Sequence, residues 1–144
     1  MKEYLFVYGT LMANIKTGIA NKLHEHSRFL GDGWIKGKLY DLGHYPGLIP
    51  DLNSESTVFG HVFELFHPLK TIKILDEYEN VGQRFGIENE YRRERINITL
   101  ENRIVECWAY IYNLSPNNLP VITSGNYLEY LTQNRQYLDF LKSL

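Results

Sequence analysis

The sequence predicts an α+β protein whose strands form one strongly curved or closed sheet. Two features of composition and one of order carry that expectation. Eleven Tyr and seven Phe bring the aromatic fraction to 14%, and aromatic and β-branched side chains favour pleated, half-buried surfaces. Eleven Gly lie scattered between short apolar segments, as turns and points of close approach would be. The elements run strand, helix, then strands interrupted by one helix. At 144 residues the chain suits one domain, 1–144, large enough for a real core.

Residues 3–8 form an apolar run without polar alternation after Glu3, as expected of a central strand covered on both faces. Residues 15–25 are weakly helical, with Ile15, Ile19 and Leu23 spaced at four. Turn glycines interleave with Phe29, Trp34, Ile35, Leu39 and Tyr40 across 28–42, which predicts one or two short bent strands. Gly43 to Gly47 read as a loop. The next strand is Val58–Leu65, its Gly60 a bulge or close-approach point. Pro68 then opens a helix, where its missing N–H costs nothing, and Leu69, Ile72 and Leu75 recur through Tyr78. The polar stretch 80–90 reads as a mobile rim. Tyr91–Leu100 and Arg103–Tyr112 form a hairpin about Glu101 and Asn102. A closing helix from about Ser124 to Leu144 places Tyr127, Leu131, Leu138 and Leu141 on one face.

Charge and cysteine content narrow the function. Fifteen Lys and Arg against seventeen Asp and Glu give a net charge of −2, and positive charge concentrates only in Tyr91-Arg92-Arg93-Glu94-Arg95, so nucleic acid is a poor expectation. A single Cys107 forbids an internal disulfide, and no signal peptide or membrane-length apolar run is visible. The expected setting is cytoplasmic, with no membrane partner. The histidines lack metal-ligand spacing: His24 and His26 lie two apart on an expected helix, and His44, His61 and His67 form no motif. No metal is expected. Cys107 sits mid-strand, and no nucleophile-elbow serine exists.

Two features point to chemistry. The first strand ends on Gly9-Thr10-Leu11. The stretch lacks the second glycine of a phosphate loop, which leaves an amide-lined pocket suited to a carboxylate or a developing oxyanion. A tight strand-to-helix turn with Thr10 as N-cap is the structural alternative. On the helical wheel, Glu79 falls about 20° from Ile72, between Leu75 and Leu69. That position places a carboxylate on the apolar stripe at the negative end of the helix dipole, and both desolvation and the dipole favour its protonated form. A general base that must later act as an acid needs such tuning. The alternative is a structural ion pair with Arg84, Arg92, Arg93 or Arg95.

Six segments in order then carry a resemblance: Tyr8-Gly9-Thr10-Leu11; Gly37 to Gly47 with its Leu39-Tyr40-Asp41-Leu42-Gly43 core and Tyr45-Pro46-Gly47 end; Val58 to Phe63; Leu75-Asp76 with Tyr78-Glu79; Tyr91 with Arg93; and Ala109-Tyr110 with Tyr112. Over about residues 4–127 the chain resembles the gamma-glutamylcyclotransferase-like family, which includes gamma-glutamylamine cyclotransferase and the AIG2-like proteins. The resemblance implies a small β-barrel with flanking helices, a small-molecule γ-glutamyl substrate, no cofactor, Glu79 as catalytic acid/base, and Tyr8, Gly9, Thr10, Leu11 and Tyr91 as substrate-binding residues. The chain departs from that pattern in the longer stretch between Glu79 and Tyr91, and at Asn126, where many relatives carry Asp. A binding module that keeps the cavity without turnover is the alternative function.

Overall fold

The computed structural model describes residues 2–9, 18–43, 45–78, 90–133 and 143. Thr10, Leu11, Glu79, nearly all of the 80–90 rim and the last part of the expected closing helix lie outside the described residues. Five strands close into a mixed barrel. They are β1 (Glu3–Val7), β2 (Ser27–Asp41), β4 (Thr57–Leu65), β5 (Tyr91–Leu100) and β6 (Arg103–Tyr112), in the spatial order β2-β4-β1-β6-β5, with β5 returning to β2. The extra strand β3 (Pro46–Pro50) extends β2. The helices are α1 (Gly18–Glu25), α2 (Pro68–Tyr78) and α3 (Tyr127–Gln133).

β1 is central, as its uninterrupted apolar run requires. It pairs antiparallel with β4, from Glu3↔Leu65 to Val7↔His61, and parallel with β6 through Leu5↔Trp108. Leu5, Phe6 and Val7 are all buried. The expected hairpin closes at Leu100↔Arg103, and Glu101 in its turn takes a left-handed φ of 55°. Among the described residues no helix is long and apolar enough to cross a membrane.

The 28–42 segment corrects the expectation of short strands, because it is one strand of 15 residues. Its glycines are contact points rather than ends. A Cβ on Gly33 would lie 2.6 Å from Ile98 Cγ2 and 2.9 Å from Val62 Cγ2, at the seam where Gly33 pairs with Leu100 to close the barrel. The loop expected over 43–47 is also shorter, since β3 begins at Pro46, opposite Asp41, and ends at Pro50, opposite Gly37. Two prolines are tolerated there because an edge strand can leave N–H positions unused.

In α2 the buried line is Thr71 and Leu75, at 6% and 1% exposure, whereas Leu69 is 90% exposed. Ile72 packs partly buried against the same core, so the expected three-residue step holds from Ile72 to Leu75 and fails at Leu69. α3 starts at an Asn126 cap, whose Oδ1 accepts the Glu129 N–H at 3.2 Å, and buries Tyr127 and Leu131. Asn126 thus has a capping role at this departure from the family pattern. Tyr130 ties the helix back to the end of β2 by donating its hydroxyl to Asp41 at 2.5 Å, a bond that pushes the phenol up to about 12.

Candidate active site at the end of the first strand

β1 delivers Tyr8 and Gly9 to one end of the barrel. The Tyr8 side chain is buried, donates its hydroxyl to the Tyr110 carbonyl and accepts the Leu48 N–H at 3.3 Å. Gly9 lies beneath a proline ring: a Cβ there would meet Pro46 Cγ at 3.0 Å and Cδ at 3.2 Å. Tyr91, at the start of β5, donates its hydroxyl to the Pro46 carbonyl at 2.5 Å and packs edge-on against Tyr112, with ring centroids 6.3 Å apart. Tyr8, Gly9 and Tyr91, separated by more than eighty positions in the chain, thus converge on Pro46-Gly47-Leu48 at the start of β3. The sequence offers that segment only as a loop, and Tyr45-Pro46-Gly47 is the signal that marks it.

A second cluster lies at the far end of α2. The Asp76 carboxylate accepts Arg93 Nε at 2.8 Å, Arg93 Nη2 at 3.3 Å and the Tyr110 hydroxyl at 2.8 Å. Both partners of this fork are about three-quarters buried, with side-chain exposures of 25% for Asp76 and 24% for Arg93. Arg93 and Arg95 place their guanidinium carbons 4.4 Å from the Trp108 ring centroid, within cation–π range. Trp108 Nε1 donates to Glu3 at 3.1 Å, and Arg95 Nη2 reaches the other Glu3 oxygen at 3.0 Å. Arg92 pairs with Glu94 at 2.8 Å. The basic run 91–95 is therefore ion-paired along its length, and the arginines that sequence reasoning offered to Glu79 each have another carboxylate, apart from Arg84, which is not described.

The remaining reactive groups have structural surroundings. The Cys107 thiol is buried and pushed up to about 12 by desolvation, with Glu106 adding to the effect, so it holds its proton at neutral pH. Among the described residues no group of three or more His, Cys, Asp and Glu could hold a metal. His24 stacks on Phe63 at 5.3 Å, and His26 meets His67 edge-on at 6.0 Å. His61 lies 3.4 Å from Asp32. Burial lowers His61 below its ordinary value of 6.5, Asp32 opposes the shift and His24 adds to it. A histidine lowered on folding adds stability above its unfolded value, and that contribution is lost as pH falls through it toward the folded value. Denaturant midpoints are accordingly expected to drop between pH 7 and 5, and to drop less in His61→Gln. An unchanged pH dependence in that variant would exclude His61 as a source.

Comparison with known proteins gives a consistent result. The family model described as gamma-glutamyl cyclotransferase, AIG2-like matches residues 5–129. A Vibrio cholerae serotype O1 protein provisionally named a gamma-glutamylcyclotransferase is 32% identical over 133 residues, covering 90% of this chain and 98% of its own. The Escherichia coli K12 gamma-glutamylcyclotransferase family protein YtfP is 32% identical over 126 residues, covering 87% and 96%. The solution structure of E. coli ytfP matches with a TM-score of 0.62 at 31% identity, over 88% of this chain and 97% of that one. The Bacillus subtilis YkqA crystal structure has a TM-score of 0.70 at 23% identity and covers 94% of this chain, which spans 43% of YkqA; that likeness is one of fold.

Proposed function

Because the chain belongs to the gamma-glutamyl cyclotransferase, AIG2-like family, we propose that it cyclises the γ-glutamyl part of a small amide to 5-oxoproline and releases an amine, with Glu79 as general acid/base. The observation that carries this reading is the convergence of Tyr8, Gly9 and Tyr91 on the start of β3. These residues, assigned to one pocket by sequence resemblance, come from two distant places in the chain, the end of β1 and the start of β5, and a role in one site accounts for their meeting.

The chemistry needs few parts. The substrate's α-ammonium cannot attack until it loses a proton, which Glu79 takes. The freed nitrogen then bonds to the γ-carbonyl carbon, and the carbonyl oxygen gains negative charge that amide donors in the Gly9–Leu11 stretch stabilise. The bond from that carbon to the amine nitrogen breaks while protonated Glu79 returns the first proton to the leaving nitrogen; the second proton, shed by the ring nitrogen as it becomes an amide, passes through the freed Glu79 carboxylate to the departing amine. The substrate becomes 5-oxoproline and an amine released in its protonated form, with no water consumed. Ring closure is intramolecular, so much of the entropic barrier is already met within the substrate. Tyr8 and Tyr91, whose hydroxyls anchor β3, hold the wall of the pocket against which the substrate lies.

Incubation with a panel of γ-glutamyl amines and γ-glutamyl dipeptides is expected to release 5-oxoproline from at least one member. Saturable binding across the panel without product would instead identify a binding module.

A further inference from the structure

We propose that Asp76 is a positioning residue for the acid/base, holding the end of α2 at a set distance from the end of β1 through Tyr110; this rests on the function proposed above. Tyr110 is held at both ends. Its hydroxyl donates to Asp76 Oδ1 at 2.8 Å, and its carbonyl accepts the Tyr8 hydroxyl, which in turn accepts Leu48 N–H at 3.3 Å. One continuous series of hydrogen bonds therefore runs from the last turn of α2, across β6, to the residue before Gly9 and on to β3. Arg93 locks its helical end by occupying both Asp76 oxygens, Nε on one at 2.8 Å and Nη2 on the other at 3.3 Å. The guanidinium is itself stacked on Trp108.

Two physical consequences follow. A two-point fork fixes orientation as well as distance, which a lone carboxylate–hydroxyl bond does not. The Arg93 charge also balances Asp76, so the clamp does not add a net negative charge three residues from Glu79. α2 otherwise rests on the core through Thr71, Ile72 and Leu75, and its exposed first turn at Leu69 contributes little. Asp76 is thus a polar fixture in the last turn of α2, three positions before the proposed acid/base. A misplacement of about 1 Å in such a group can cost as much as 10²-fold in rate.

Asp76→Asn and Tyr110→Phe are the test variants, assayed for 5-oxoproline release well below their unfolding midpoints. The expected result is a fall in kcat of about tenfold for Asp76→Asn and a smaller fall for Tyr110→Phe, with KM changed less than about twofold. In a Glu79→Gln background the same substitutions are expected to lower the residual rate less than about twofold, because groups acting through one another are not additive. Tyr110→Phe removes only a hydroxyl and carries the test if Asp76→Asn does not fold. Wild-type kcat in the variants overturns the positioning role and leaves the proposed function standing. Losses that multiply with that of Glu79→Gln also overturn it, by showing general structural support. Absence of turnover by the unmodified protein, or normal turnover by Glu79→Gln, overturns the proposed function and this inference together.

Discussion

Glu79→Gln is expected to lower 5-oxoproline release by about 10² or more, the usual share of general acid–base catalysis, while substrate binding survives. Glutamine keeps the volume and hydrogen-bonding capacity of the side chain and removes its basicity. The unfolding midpoint is expected to hold or rise slightly, since the substitution removes a negative charge at the position directly after the negative end of α2. A structural glutamate would behave in the opposite way. Had it been half of a buried ion pair, the variant would lose roughly 3–5 kcal/mol by leaving a guanidinium unpartnered. Three of the four candidate arginines weigh against that outcome, Arg84 lying outside the described residues: Arg93 is engaged by Asp76, Arg92 by Glu94 and Arg95 by Glu3. Activity and unfolding midpoint measured on one preparation separate the two accounts. Near-normal turnover with a large drop in midpoint would end the catalytic assignment.

The parts of the fold legible in the sequence are those set by local pattern. The apolar run of β1, the proline opening α2 and the two-residue turn between β5 and β6 each state their structure within a few residues. β2 and β3 are different. Gly31, Gly33 and Gly37 look like turns because glycine usually interrupts a strand, yet here Gly33 stands where barrel strands pass too near for a side chain, Gly37 lies equally close to β3, and Gly31 takes a φ of 151° that favours glycine. Pro46 and Pro50 look like loop residues because proline removes a ladder donor, and an edge strand is where that loss is cheap. The first ambiguity is settled by closure, through Gly33↔Leu100, which no local window contains; the second is settled by the pairing of β3 with β2 from Asp41↔Pro46 to Gly37↔Pro50.

The candidate site divides along the same line. Gly9 is readable because a glycine ending a buried strand demands a reason, and Pro46 packed above it supplies a structural one. Asp76 is visible in the sequence only as a neighbour of Glu79 about 60° away on the wheel. Its partners come from β5 and β6, 17 and 34 residues further on, and only the pairing of Arg93 with Tyr110 across the hairpin brings them to one carboxylate. The apolar stripe of α2 is legible as a direction but not as a boundary. Leu69 fits the wheel and yet extends past the barrel into solvent, because where a helix ends over its support depends on tertiary contacts.

Gly60→Ala is expected to destabilise the protein by about 3 kcal/mol, at the upper end of the usual range for overpacking a core. The ideal Cβ at this position lies 2.2 Å from the Val7 carbonyl oxygen and 2.7 Å and 2.8 Å from two ring carbons of Phe6. Neither neighbour can yield. The Phe6 ring is 1% exposed in the middle of the core, and the Val7 carbonyl belongs to the ladder in which Phe6 pairs with Val62 and Val7 with His61. Relief therefore requires β1 and β4 to separate near the last residues of β1. Tyr8 and Gly9 follow immediately, so the shift reaches the hydroxyl that bonds Tyr110 and Leu48. The same variant should thus lose turnover even where it is fully folded, whereas Lys38→Ala, at an exposed position of β2, should change both quantities little. Equilibrium denaturation gives the first quantity and 5-oxoproline release at low temperature the second. A midpoint within error of the unmodified protein would mean that β1 and β4 are not held as closely at Gly60 as the register requires.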